Sequence, residues 1–382
     1  MRVLHVTPYF PPASPYGGPP ASVLGLCQGL QRAGVDVEVV TTTANGKGSL
    51  PPSPPDGEQY EGVRVHYARR AFPRRFFGAR VRNPLKRALR FADVCHIHGL
   101  WNVPEWWASY LARESATPYV ISPRGMLQPE AMRRGRMRKA AAWTLVDARN
   151  VNRAALLHAT SEQEATALRT LEPGARIEVV PNGVDLSAAR SASRGYRSRL
   201  GIPDEAFVVL FLGRMHRIKR LDLLADAFAS AHEAHRSMHL VLAGPDEHGL
   251  IPDVLKRLSG AVGHVHAIGA IHGGDKWSLV KDADAMVQCS DSESFGMSVI
   301  ESLACGVPAI VTRTCPWSEI ETNGCGFWVE QTAPAIAAAL SALADDPSLR
   351  DRMGERGEAF AHARYSWDAI APRMARLYAD LT

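Results

Sequence analysis

Apolar residues recur along this chain in short β-rich runs, separated by longer stretches with helical spacing. In the first half the runs fall at residues 3–7, 35–42, 63–67, 94–98, 119–122, 156–160 and 177–180. The segment opened by Gly17-Gly18-Pro19-Pro20 places Val23, Leu24, Cys27 and Leu30 on one helical face and stops at Gly34. The pattern restarts in the second half, with runs at 207–212, 239–243, 264–268, 285–288 and 309–312. Helical segments at 221–234 and 297–304 lie between them, and a last helical stretch at 367–381 follows. Short strands alternating with helices predict right-handed βαβ units and parallel sheets. The α/β pattern runs twice, which predicts two Rossmann-like domains. Pro181-Asn182-Gly183 is the turn signal between them. The expected division is 1–183 and 184–365, with a terminal helix at 366–382 packing back on the first domain. Residues 45–56, rich in Pro, Gly and Ser, read as a mobile loop.

A length of 382 residues exceeds one comfortable core and fits two domains. No apolar run is long enough for a membrane span. The opening Met1-Arg2-Val3-Leu4-His5-Val6 reads as a strand rather than a signal peptide, which predicts a cytoplasmic start. Six cysteines without a C-x-x-C pair predict reduced thiols and no zinc. Charge is uneven. Residues 1–190 carry 25 Lys and Arg against 15 Asp and Glu, and the remainder carries 19 against 24. Between Gly62 and Ala92 there is no acidic residue, and Phe72, Phe76 and Phe77 are interleaved with arginines such as Arg70, Arg74 and Arg75. A second basic cluster holds Arg133, Arg134, Arg136, Arg138 and Lys139. Such a surface predicts salt-reversible attachment to the inner face of an anionic membrane, or contact with a phosphate-bearing acceptor; a solvated basic face is the plain alternative. No nucleic-acid partner is expected.

The chemistry concentrates in two loops of the second half. Glu293-Ser294-Phe295-Gly296-Met297-Ser298 leads from a strand into a helix that carries Glu301. Free N–H groups at a helix start attract phosphate, and carboxylates can each accept a pair of sugar hydroxyls. Gly213-Arg214-Met215-His216-Arg217-Ile218-Lys219 follows another strand and puts two cations at the carboxyl end of the sheet, where open α/β sheets bind ligands. Taken alone, each pattern also fits solvated surface.

Together these residues resemble the group 4 retaining glycosyltransferases of GT-B fold. Further marks of the resemblance are Gly17-Gly18, His96-Ile97-His98-Gly99, Pro181-Asn182-Gly183-Val184-Asp185, Ala243-Gly244-Pro245 and Ala304-Cys305-Gly306-Val307-Pro308. The runs 121–127 and 315–328 look like a bacterial branch that builds surface polysaccharides. The resemblance implies two domains facing across a cleft, a first that takes the acceptor and a second that takes the nucleotide-sugar. Arg214 and Lys219 would hold the diphosphate and stabilise the leaving nucleotide. Glu293 would bind the transferred sugar, and Glu301 the ribose. Ser294, Phe295, Gly296, Met297 and Ser298 would meet sugar and phosphate through their backbone. Gly17 and Gly18 would approach the diphosphate, and Ile271 would border the base, with UDP favoured over GDP. No metal or other cofactor is implied. The acceptor would be a glycan or a polyprenyl-diphosphate-linked glycan. Two positions depart from the pattern: Arg220 stands where relatives often have glycine, and Arg124, expected on the acceptor side, where many have histidine. His98 is then the histidine best placed to contact the sugar, although a purely structural role for it fits equally.

Other signals carry less. Asp282-Ala283-Asp284 matches a metal-binding D-x-D pattern but precedes its strand, which is the wrong end. His96 and His98 share one strand face, yet no third ligand is evident in the sequence. Trp101, Trp106 and Trp107 read as packing residues. A nucleotide-sugar epimerase or hydrolase, or a silent binding protein at a membrane surface, are the competing readings. The absence of G-x-G-x-x-G after the first strand disfavours a dehydrogenase.

Overall fold

The computed structural model describes residues 1–13, 16–70, 79–133 and 135–382. The chain divides into two compact units, Met1–Gly183 with Trp367–Thr382, and Val184–Ser366. Each is a parallel sheet with helices on both faces.

In the first unit the strands are β1 (Arg2–Val6), β2 (Asp36–Thr42), β3 (Ala44–Asn45), β4 (Gly48–Ser49), β5 (Glu58–Tyr60), β6 (Val63–Ala68), β7 (Val94–His98), β8 (Tyr119–Ser122), β9 (Leu156–Ala159) and β10 (Arg176–Val179). Eight of them form one sheet in the order β10-β9-β8-β7-β1-β2-β6-β5, parallel except for β5. The central β1 is buried throughout most of its length, so it shows a continuous apolar run rather than alternation. The remaining pair, β3 and β4, is an antiparallel hairpin. It occupies the start of the segment expected as a loop, and residues 50–56 carry no helix or strand. Arg70 anchors the hairpin, donating to Ser49 Oγ at 3.2 Å and to the carbonyls of Gly46 at 3.2 Å and Gly48 at 2.5 Å. Arg70 is therefore buried structure, not part of a basic surface. Phe72, Arg74, Arg75, Phe76, Phe77 and Arg134 lie outside the described residues.

Helix α1 (Gly18–Arg32) buries Val23, Leu24, Leu26, Cys27 and Leu30 against this sheet. It packs on a helix from the far end of the chain, and the fit depends on small residues. A Cβ on Gly25 would lie 2.3 Å from the Trp367 indole nitrogen, one on Gly29 2.9 Å from Ala371 Cβ, and one on Gly183 2.5 Å from the Trp367 ring. Trp367 thus lies directly over backbone, where no larger residue fits.

In the second unit the strands are β11 (Phe207–Leu212), β12 (Met238–Ala243), β13 (Val265–Gly269), β14 (Ala285–Gln288), β15 (Ala309–Thr312) and β16 (Gly326–Val329). Their order is β13-β12-β11-β14-β15-β16, all parallel. Helix α2 (Leu221–Ala234) follows β11, and α3 (Met297–Ala304) follows β14. From β11 the chain first builds outward through β12 and β13, then crosses to β14 on the other side. The carboxyl ends of β11 and β14 therefore flank a topological switch point, where such sheets bind ligands. The terminal helix α4 (Trp367–Ala379) belongs to the first unit, where Trp367, Ile370, Met374 and Tyr378 enter its core. Among the described residues no helix is long and apolar enough to cross a membrane.

Candidate functional site

Two loops meet at the switch point of the second unit. After β11 the backbone turns at Gly213. A Cβ on Gly244, at the end of β12, would fall 1.9 Å from the Gly213 carbonyl oxygen, so these two strand ends touch backbone to backbone. Gly213 N–H donates to Ala243 O at 2.9 Å, and Met215 N–H to Pro245 O at 2.9 Å. A single 3-10 turn, Arg217–Lys219, leads to Arg220 at φ 54 and ψ 48. Glycine, the residue that the resemblance implies at this position, enters that left-handed conformation freely. Here the Arg220 guanidinium compensates, binding Asp222 and Asp291 at 3.1 Å each. Asp291 N–H in turn donates to Ile218 O at 2.8 Å, which ties the two loops together.

Lys219 forms an ion pair with Glu293 Oε1 across this junction, and both side chains are largely buried. The same carboxylate accepts from Gln288 Nε2 at 2.7 Å and Ser290 Oγ at 2.8 Å. Ser298 holds Gln288 from behind at 3.0 Å. Glu293 is thus oriented by three donors. Gly296, at φ 89, begins α3 without a side-chain cap and with no acidic residue in the first turn, so the free N–H groups there keep their positive field. Trp317 fixes the turn by donating to Phe295 O and packing on Phe295. Glu301, also buried, pairs with Lys276 at 2.9 Å. Arg214 goes elsewhere: it binds Glu247 at 3.1 Å, beyond β12, and remains half-exposed. Ile271 packs at the edge of the apolar cluster formed with Leu212 and Ile268. Sequence reasoning missed Gln288, Ser290, Lys276 and Glu247. Only Ser298, inside the motif, left a signal.

Asp282 accepts from the amides of Gly195 and Arg197 at 2.9 Å, and Asp284 from Val208 N–H at 2.8 Å. Both carboxylates are thus engaged in joining the chain at the amino end of β14.

The first unit places a different chemistry at the carboxyl ends of its strands. Alternate residues on one sheet face change from apolar to polar along each strand: Val3 to His5, Val94 to His96 and His98, Val120 to Ser122, Leu156 to His158. Register aligns His5 with His96 and His98 with Ser122. His5 is the third histidine that the sequence did not reveal, and the ring nitrogens of His5, His96 and His98 lie within 4.8 Å of one another. Their hydrogen bonds favour a relay over a metal site. His158 Nε2 lies 2.7 Å from Val180 O, which can only accept. Burial pushes the His158 imidazole down to about 3, so it is neutral and its Nδ1 accepts from Ser122 at 2.6 Å. Ser122 therefore accepts from His96 Nε2 at 2.6 Å, and His96 Nδ1 accepts from Tyr378 OH at 2.6 Å. A second chain starts at Arg124, whose Nη2 lies 3.1 Å from His98 Nδ1. Guanidinium only donates, so His98 Nδ1 accepts and its Nε2–H donates to His5 Nδ1 at 2.9 Å. Among the described residues, His5 Nε2–H has no hydrogen-bond partner. Both His98 nitrogens are thus engaged, and a dication here would face the Arg124 guanidinium. Gly17, at φ 73, caps α1, and Gly18 is its first residue.

The family described as "Glycosyl transferases group 1" matches residues 193–360, and "Glycosyl transferase 4-like domain" matches 17–183. The chain belongs to the group 1 glycosyltransferases. This glycosyltransferase is 29% identical to D-inositol 3-phosphate glycosyltransferase 2 of Catenulispora acidiphila, over 98% of its own length and 93% of that protein. An uncharacterized glycosyltransferase of Methanocaldococcus jannaschii is 25% identical over 99% of this chain and 98% of its own. Among solved structures, sucrose-phosphate synthase from Thermosynechococcus elongatus superposes with a TM-score of 0.78 at 21% identity, over 100% of this chain and 99% of that one. Anabaena HepE in complex with UDP-glucose gives 0.76 at 18%, covering both chains fully. These likenesses establish the GT-B fold.

Proposed function

We propose that this glycosyltransferase draws its sugar from a nucleotide diphosphate sugar held on the second unit, and transfers it with retention of configuration and without a metal ion. The Lys219–Glu293 pair beside the uncapped start of α3 carries the reading. The ammonium and helix start supply a positive field for a diphosphate, and Glu293 supplies a fixed acceptor for sugar hydroxyls. Glu301 is the corresponding acceptor for ribose hydroxyls. Arg214, once released from Glu247, adds a second cation. UDP is the expected nucleotide, since HepE is a complex of the same fold with UDP-glucose. A thermal-shift panel of UDP, GDP, ADP and TDP sugars checks the donor: UDP sugars should stabilise the protein most, and no response to any of the four would overturn the reading. Turnover should survive EDTA; activity lost to the chelator and restored by Mg²⁺ or Mn²⁺ would refute metal independence. A product made from labelled donor only when acceptor is present separates transfer from epimerisation or hydrolysis.

For the acceptor, a glycan or lipid-linked glycan of bacterial polysaccharide synthesis is the first reading. The relatives named for D-inositol 3-phosphate support a small phosphorylated polyol as the second. The lipid-linked reading gains support from the first unit's surface. Exposed Met137 and Leu145 stand with Arg133, Arg136 and Arg138, while Arg82, Lys86, Arg87 and Arg90 supply further cations. Each basic residue near an anionic leaflet contributes about 1 kcal/mol. The protein should float with anionic vesicles at low salt and be released by high salt. Equal recovery with neutral vesicles would count against membrane attachment.

A further inference from the structure

We infer that Arg124 is an oxyanion-binding residue of the first unit, and that His98 and His5 are positioning residues that hold its guanidinium in place. The inference goes beyond the proposed donor chemistry, which uses the second unit.

Four observations converge on it. First, the partners of Arg124 are all neutral: His98 Nδ1, Ser22 Oγ at 3.1 Å and Asn182 Oδ1 at 3.3 Å. Among the described residues no carboxylate lies within ion-pair distance of it. Glu164 is the nearest influence of opposite sign, and its oxygens are engaged by the amides of Gly125 and Thr160 and the Thr160 hydroxyl. Second, the bond to Ser22 ties the guanidinium to α1 just beyond its first turn, which has no side-chain cap and no acidic residue. Third, the backbone is constrained for this placement. Arg124 has φ 52, followed by Gly125 at φ 77, a left-handed pair that a non-glycine residue rarely enters. Fourth, Arg124 as a whole residue is half-buried, and burial is the largest influence on its guanidinium, holding its pKa below the ordinary value.

The histidine tautomers make the placement specific. His98 must present a bare Nδ1 to the guanidinium, and its Nε2–H is directed to His5. Burial and the Arg124 charge hold both imidazoles below their ordinary value, which keeps His98 an acceptor at neutral pH. The fitting ligand is a phosphate monoester on a sugar-like substrate, which a guanidinium can bind through paired donors. It would arrive as the phosphate of the acceptor.

Isothermal titration on the full chain tests this, with wild type, Arg124→Gln, Arg124→Lys, His98→Phe and His98→Asn. Inorganic phosphate at constant ionic strength is the basic probe. A paired probe assigns the source: D-inositol 3-phosphate against inositol. Arg124→Gln should weaken phosphate binding at least tenfold, with Arg124→Lys in between. His98→Phe should act like Arg124→Gln, whereas His98→Asn, which keeps an acceptor near Nδ1, should stay within about threefold of wild type. Loss of discrimination in the inositol pair in Arg124→Gln assigns the acceptor phosphate. Identical phosphate isotherms for wild type and Arg124→Gln would overturn the inference. UDP binding, followed alongside, reports on the proposed donor site: its absence would sink that reading and leave the Arg124 result standing.

Discussion

Lys219→Ala should lower kcat by about 100-fold, the usual cost of removing one fixed donor that meets charge developing in the transition state. In the free protein the Lys219 ammonium neutralises Glu293. When a nucleotide-sugar binds, the same ammonium can serve the diphosphate, whose negative charge grows as the glycosidic bond breaks. The effect should therefore fall mainly on kcat rather than on KM. Removing Lys219 also leaves a largely buried carboxylate without its cation, so lost folding could imitate lost catalysis. Gln288 and Ser290 still hold Glu293 in the variant. Adding Glu293→Gln to Lys219→Ala removes the stranded charge and should recover stability without recovering kcat. Steady-state kinetics and thermal unfolding on the single and double variants give the answer, and an unchanged kcat in Lys219→Ala would remove it from the diphosphate site.

The second large effect is on acid stability of the first unit. His5 and His158 are buried neutral, with values pushed from 6.5 down to about 3, and His96 and His98 are lowered by burial and by one another. The unfolded chain binds protons on these groups before the folded one does. Their stabilising contribution is complete above 6.5 and is lost as pH falls from 6.5 towards 3. For one such histidine the loss at pH 5 is about 2 kcal/mol. Arg124 and Arg373 face His158 and oppose its charging, while the Val180 carbonyl favours it. Two buried carboxyls act in the opposite direction. Burial raises Glu105 to about 8 and Asp147 to about 6, so both become less costly as pH falls. The total pH curve mixes these signs, and a difference isolates one histidine. Urea unfolding of wild type and His158→Gln should show a stability gap that narrows by about 2 kcal/mol between pH 7.5 and pH 5. A gap that stays constant would mean that His158 does not titrate as a buried neutral group.

Much of the fold was legible because parallel strands buried on both faces leave continuous apolar runs. Strands at 94–98, 119–122, 207–212, 285–288 and 309–312 have the bounds expected from the sequence alone. Helices at 221–234 and 297–304 do as well. The edge strands β5 and β16 were missed: one is three residues with polar members, and the other begins at a glycine within Gly324-Cys325-Gly326. The Glu293 loop was legible as a strand-to-helix turn, but the scaffold behind its carboxylate was not. Gln288 is a strand residue whose neighbours do not mark it, and Lys276 meets Glu301 only through packing of separate helices. The histidine relay was hidden for a related reason. His96 and His98 sit in one short run, but His5 joins them through β1–β7 register and His158 through β8–β9 pairing, and spacing along the chain reports neither. The separation of Arg214 from Lys219 was also illegible, since the loop between them turns back through a 3-10 segment.

The contact of Trp367 with Gly25 and Gly183 has a consequence for biosynthesis. The chain leaves the first unit after Gly183 and returns to it only at Trp367. While the ribosome is still working, the face of α1 that receives Trp367 has no cover, and His96 lacks its Tyr378 hydroxyl. The second unit, continuous from Val184 to Ser366, is translated in full before those residues are made. Nascent domains usually complete in the order in which they are translated. Here the unit begun first is the one that waits: its core stays open at the α1 face while the whole of the second unit is translated.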